Sequence, residues 1–217
     1  MLRPGRPSHW AKYLSKRLPQ MDADDLLLLF GCLFLAAMLG RILSTYRRTG
    51  RFPIIWHEKD TASNFIVRLI VAIVAMEALS IILYAIYDSY YPYLVPITYL
   101  EKSTIQSAGI LLAYLSLGWS AIAQAQMGAS WRVGIDTQQE TALVAKGLYS
   151  FSRHPIYLGF ISVTVGLFLA MPNAMSLVAC VLAIVVLSIE ARLEEEFLVS
   201  RYGDAYEAYL KQTRRWL

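Results

Sequence analysis

The sequence predicts an all-α integral membrane protein with about five transmembrane helices and a C-terminal amphipathic helix. Three observations carry that expectation. Hydrophobic residues make up 57% of the 217 and the mean hydropathy is +0.45, above the apolar share of ordinary soluble domains. The apolar residues collect in runs long enough to cross a ~30 Å hydrocarbon core at ~1.5 Å of helical rise per residue. Basic residues gather at the ends of those runs, where lipid headgroups would meet them. The net charge of +4 is modest, and its placement suits contact with membrane lipids and gives no reason to expect nucleic acid.

Three regions follow in order. Residues 1–21 form an N-terminal basic segment, with Arg3, Arg6, Lys12, Lys16 and Arg17 interleaved with Trp10, Tyr13, Leu14 and Leu18 at helical spacing. Such a segment reads as an interfacial amphipathic helix or a disordered tail. Residues 22–126 are expected to hold three transmembrane helices. Asp22 or Asp24 can cap the first, which runs from about Leu26 to Leu43 and, having no Ala-x-Ala exit, reads as a retained span. A basic connection with Arg47, Arg48, Arg51 and Lys59 leads to the second, about Phe65 to Tyr87. Glu77 falls near the middle of that span, where a carboxylate must be neutral, paired or facing a wet cavity. Tyrosines from Tyr84 to Tyr99, around Pro92 and Pro96, read as an interfacial belt. The third span covers about Thr104 to Gln126.

Residues 127–217 are expected to be the cofactor-binding region. A long polar connection holding Trp131, Arg132, Asp136 and Glu140 precedes an apolar hairpin. Its first arm, Pro155 to Met171, climbs ~25 Å, and its second, Ala174 to Glu194, descends ~31 Å after the break at Pro172. The cluster Arg153-His154-Pro155-Ile156-Tyr157 should therefore meet Glu194-Glu195-Glu196 at one membrane face. Gly203 should end the second arm. Asp204 and Glu207 then offer an N-cap box for a last helix, with Tyr206, Tyr209, Leu210 and Trp216 on one face. Cys32 and Cys180 lie inside apolar runs and read as small buried hydrophobes, without a disulfide. Basic residues concentrate on the first and third connections and beyond Arg192, leaving Lys102 alone on the second. That bias puts the C-terminus in the cytosol and, over five spans, the N-terminus outside, against the basic character of residues 1–21.

Proline at the first helical position puts His154 at the N-cap, and His154 and Tyr157, three apart, share a face. With Arg153 and free backbone N–H groups they suit an anionic or polar small molecule. Glu194 and Glu195 add the opposite sign, so the pocket suits a zwitterion with an aromatic part. Taken singly, Arg-His-Pro is also an ordinary headgroup anchor and a glutamate run an ordinary solvated face. Their occurrence on one hairpin is what points to a site. The histidines His9, His57 and His154 lack ligand spacing, and no metal site is expected. Nor is there a Gly-x-Ser-x-Gly, P-loop or Gly-x-Gly-x-x-Gly motif.

The stretch Leu143-Val144-Ala145-Lys146-Gly147-Leu148-Tyr149, then Arg153 to Gly159, then Glu194-Glu195 with Tyr202-Gly203-x-x-Tyr206-x-x-Tyr209, resembles the isoprenylcysteine carboxyl methyltransferase family and its bacterial relatives. Phospholipid N-methyltransferases share the Pro-x-Tyr and Glu-Glu parts. The resemblance implies a membrane-embedded methyltransferase of a bacterial inner membrane that uses S-adenosyl-L-methionine on a lipid or small lipophilic acceptor. It implies cofactor binding by Leu143, Val144, Tyr149, His154, Pro155, Ile156, Tyr157 and Glu194, supported by Glu195, with Arg153 and Glu190 on the substrate side. In the isoprenylcysteine branch an arginine one turn before the acidic pair holds the substrate carboxylate, and Glu190 occupies that position here. An acid there favours a neutral or cationic acceptor, unless Arg192 turns inward to take the arginine's place. Two rival readings remain: an NADPH-dependent membrane reductase of the sterol reductase type, and a non-enzymatic membrane scaffold.

Overall fold

A computed structural model describes residues 22–54, 61–131 and 143–217. The basic segment 1–21, with His9, lies outside the described residues, as do His57, Lys59, Arg132, Asp136 and Glu140. Six α-helices make up the described chain: α1 (Ala23–Thr49), α2 (Ala62–Ala85), α3 (Ser103–Met127), α4 (Pro155–Ala170), α5 (Ala174–Tyr202) and α6 (Asp204–Gln212). By length and composition α1, α2, α3 and α5 are each able to cross a membrane, and α4 is a shorter apolar helix. The protein is a multi-pass integral membrane protein. Large apolar side chains on the outside of the bundle, among them Leu35, Leu39, Leu111, Leu115, Val181 and Val185, are exposed to whatever surrounds it, as a lipid-facing wall requires.

Local signals set the helix ends. Asp22 caps α1 by accepting from the Asp25 N–H, while Asp25 reaches back to the Asp22 N–H, a reciprocal pair that satisfies otherwise orphan donors. Asn173 and Ser176 make the equivalent arrangement at the start of α5. The α4 helix begins at Pro155 and stops before Pro172, so it is 16 residues long. That length rises ~24 Å, short of a ~30 Å core. By contrast α5 has 29 residues and projects beyond the bilayer.

The helices close into a ring, α1 against α2 and α3, α3 against α4, α4 against α5, and α5 against α2, with α6 folded onto α5. The α3–α4 seam is the tightest part because glycines line it. A Cβ on Gly109 would lie 2.5 Å from the Ala170 backbone nitrogen, and one on Gly166 2.7 Å from that of Ala113. At the end away from the site, Leu27, Phe30, Tyr84, Tyr91, Ile110, Leu167 and Met171 form one core. There Gln106 donates to the Tyr84 hydroxyl and the Ala170 carbonyl, and Tyr114 to the Leu26 carbonyl. The first residues of α1 therefore lie on the face opposite His154, as five crossings require.

Three details depart from the sequence reading, the first being that Cys32 is exposed on the outer surface of α1, whereas Cys180 is buried as expected. Gly203, with φ 53°, ends α5 and is itself the N-cap of α6, without a side-chain cap bond from Asp204. Trp216 lies beyond the end of α6, so it belongs to the C-terminal tail and not to that helix's face. Glu77 is buried, and neither carboxylate oxygen has a hydrogen-bond partner among the described residues.

Candidate active site

The N-terminal end of α4 and the distal part of α5 meet, as the hairpin arithmetic required. His154 is the N-cap of α4 and is buried, with 5% of its surface exposed. Its Nδ1 lies 3.4 Å from Glu194 Oε2 and its Nε2 3.1 Å from Glu195 Oε1. Only the imidazolium donates from both nitrogens. Burial alone would lower the His154 pKa, but the hydrogen bonds and charges of Glu194 and Glu195 outweigh it and hold the pKa above its ordinary value. Tyr157, one turn along α4, stacks its ring on the imidazole at 5.2 Å between centroids and 9° between planes. Its hydroxyl donates to Glu194 Oε2 at 2.9 Å.

Glu195 is fully engaged. Arg153 Nε donates to its Oε1 at 2.9 Å, Arg215 Nε to the same oxygen at 3.1 Å, and Arg215 Nη2 to Oε2 at 2.7 Å. These charge-assisted bonds raise the Arg215 pKa above its ordinary value. Arg153 also donates to the carbonyls of Thr213 and Leu210. The Arg153 backbone N–H donates to the Arg214 carbonyl, and the Ser152 hydroxyl to that of Arg215. The tail after α6 is thereby strapped across the start of α4, and Trp216 packs 6.2 Å from the imidazole.

The expected site residues thus separate by environment. Glu195 and Arg153 bond each other and the tail. Glu194 takes both of its contacts on Oε2, keeps a quarter of its side chain exposed, and retains Oε1 as an acceptor. Pro155 is buried, Ile156 half-buried, and the Pro155 carbonyl accepts from Trp119 of α3 at 2.8 Å. Leu143 and Val144 are half-buried in the coil before the 3-10 turn Gly147–Ser150. Tyr149, in that turn, directs its hydroxyl to the Ala123 carbonyl and its own carbonyl accepts from Tyr209. Burial first, and the nearby Glu194 charge second, push the Tyr149 phenol above its usual range. Glu190 is 3% exposed, and its Oε2 has no partner among the described residues.

Sequence reasoning missed the tail. Arg215 and Trp216 come after a helix end, and no periodicity ties them to α4; a basic and an aromatic residue in succession was the available signal. It also missed Arg41 of α1, which donates to the Gly128 carbonyl and lies over the Trp131 ring at 5.4 Å. That contact joins the first helix to the connection leading to the site.

Two carboxylates with an imidazole between them, gathered at one end of a bundle of apolar helices, make this a membrane protein with a candidate polar site. Known proteins show what this chain is similar to. Residues 104–205 match the phospholipid methyltransferase family. The chain is 34% identical to the protein-S-isoprenylcysteine O-methyltransferase of Schizosaccharomyces pombe over 46% of this chain and 45% of that protein. The corresponding protein of Saccharomyces cerevisiae is 35% identical over 46% of this chain and 44% of its own length. The match thus spans less than half the length of these relatives. The resemblance to the isoprenylcysteine carboxyl methyltransferase family is borne out, and the phospholipid methyltransferase match covers α3, α4 and α5.

Proposed function

We propose that the protein is a membrane methyltransferase that uses S-adenosyl-L-methionine to methylate a lipid or small lipophilic acceptor. The observation that carries this reading is the His154–Tyr157–Glu194 cluster, held at one membrane boundary inside the family-matched segment. The residues fit the donor. Glu194 Oε1 is available to the donor's ammonium or ribose hydroxyls, and Leu143, Val144 and Tyr149 supply apolar and aromatic surface for adenine. His154 acts differently from the sequence expectation. With both ring nitrogens committed to carboxylates, it orients Glu194 and is not a free cation for the donor's carboxylate. The backbone N–H groups at the start of α4 remain for that role.

When bound, the donor supplies an electrophilic methyl group on a sulfonium. The chain's own contribution is alignment and exclusion of water. On this reading the tail carrying Arg215 and Trp216, which bonds Glu195 and packs near His154, helps to keep water from the reacting groups. The site face is the cytosolic one on this reading. Its helix ends and connections carry Arg47, Arg48, Arg51, Lys146 and Arg153, whereas the connection opposite carries Lys102.

Calorimetric titration of the purified protein with S-adenosylhomocysteine and, separately, with NADPH tests the proposal. Binding of the first alone is expected, and binding of NADPH alone, or of neither, overturns it. Membranes incubated with methyl-labelled donor should then yield label in the lipid fraction.

A further inference from the structure

Leu143, Val144 and Tyr149, the surface assigned above to adenine, sit on a coil and a single 3-10 turn, which have no internal ladder to fix their position. Their hold comes from α3. The Leu148 N–H belongs to the start of that turn, where helix geometry leaves donors without an internal partner, and Lys146 at the N-cap makes no side-chain bond to it. Gln126 supplies one from the end of α3, its Oε1 accepting from the Leu148 N–H at 2.8 Å. Only the oxygen of a carboxamide accepts, so the bond also fixes which way the group faces. Ala123, one turn before Gln126 and on the same side of α3, receives the Tyr149 hydroxyl on its carbonyl. One turn earlier again, Trp119 donates to the Pro155 carbonyl at 2.8 Å. One edge of α3 therefore holds both the turn and the start of α4. Gly147 makes the Gln126 contact possible. Its φ is 66°, and a Cβ there would lie 2.5 Å from Gln126 Oε1 and 2.6 Å from its Cδ, so the position needs a residue without a side chain twice over.

We propose that Gln126 is a positioning residue for the nucleoside of the methyl donor: its carboxamide, seated against Gly147, holds the wall of residues 143–149 where a purine can lie against it. This assignment rests on the methyltransferase reading above and deepens it. Gln126 is itself exposed, so its bond adds little to the stability of the bundle, and its effect belongs to ligand affinity. The amino-acid end of the donor lies with Glu194 and the start of α4 on this reading. Gln126 therefore acts on the nucleoside part alone.

Titration of the purified full chain with S-adenosylhomocysteine and with methylthioadenosine, which keeps the nucleoside and lacks the amino acid, tests this without turnover. Gln126→Met keeps the side-chain length and removes the acceptor. It should weaken both ligands equally, about fivefold, and leave the ligand-free melting point unchanged within about 2 °C. Gln126→Glu keeps an acceptor oxygen and should bind within about twofold of the wild type. Gly147→Ala displaces the carboxamide and strains the turn, so both ligands should weaken about tenfold or more. Adding Gln126→Met to Gly147→Ala should then cost nothing further, whereas independent effects would multiply by another factor of about five. Unaltered affinity in Gln126→Met, an equal loss in Gln126→Glu, or a loss confined to S-adenosylhomocysteine would overturn the proposal. So would multiplication in the double variant, or a fall in ligand-free melting that accompanies the loss of affinity. Should Gly147→Ala not purify as a monodisperse protein, the two single variants at Gln126 decide. Failure of the wild type to bind S-adenosylhomocysteine would remove the methyltransferase reading itself. Binding by the wild type that Gln126→Met leaves unchanged would remove only the role of Gln126.

Discussion

Arg215 grips Glu195 with two parallel bonds, at 2.7 Å to Oε2 and 3.1 Å to Oε1, joining the last residues of the chain to the distal turns of α5. Because Arg153 and His154 share the same carboxylate, Glu195 is the hub on which α4, α5 and the tail converge.

The hub predicts an order of stabilities. Arg215 is about one-third exposed, so Arg215→Gln should cost only about 1 kcal/mol, solvent screening having reduced the worth of the pair. Glu195→Gln leaves two buried cations without their anion and should cost about 3 kcal/mol or more. Thermal melting in detergent reads both. Equal shifts would show that Glu195 is not the shared anchor.

His154 predicts a pH dependence. Its folded-state pKa lies above the ordinary ~6.5 of the unfolded chain, so its carboxylate contacts contribute fully below ~6.5 and are lost as pH rises through the folded value. The melting difference between wild type and His154→Gln should therefore be largest in mild acid and shrink with increasing pH. A difference that grows with pH would contradict the imidazolium assignment.

The α3–α4 seam predicts strong position dependence for one chemical change. Gly109→Ala brings a methyl group to 2.5 Å from the Ala170 nitrogen, and relieving that overlap should cost about 1–3 kcal/mol. At Gly118, also on α3, nothing lies within 4 Å, so Gly118→Ala should be neutral or slightly stabilising. Similar melting points for the two variants would refute the close seam.

Tyr157 separates stacking from hydrogen bonding. Tyr157→Phe keeps the ring over His154 but removes the donor to Glu194, and S-adenosylhomocysteine binding should weaken about fivefold, roughly 1 kcal/mol. Tyr157→Ala should weaken it further by losing the stack. Unaltered affinity in the phenylalanine variant would show that this bond does not set the orientation of Glu194.

Much of the architecture was legible in the sequence because membrane constraints are one-dimensional. A run such as Leu26 to Leu43 must be a helix, since lipid satisfies no backbone hydrogen bond. The hairpin arithmetic at Pro155, Pro172 and Glu194 placed two polar clusters at one depth by rise per residue alone. Capping chemistry at Asp22 and proline at the first position of α4 set helix starts locally. Asp204 misled because Gly203, with its positive φ, fills the turn between α5 and α6 and becomes the cap itself.

The sequence alone therefore determined the class of protein, the order of its crossings and the face on which acids and imidazole gather, because each depends on contacts or distances measured along the chain. Only the tertiary structure decided how the charges pair. Glu195 is shared by Arg153, His154 and Arg215, Glu194 takes its contacts on one oxygen, and Glu190 Oε2 has no hydrogen-bond partner among the described residues. Pairing among charges at one depth depends on the rotation of neighbouring helices and on where the tail returns, and neither is written in any local run of residues.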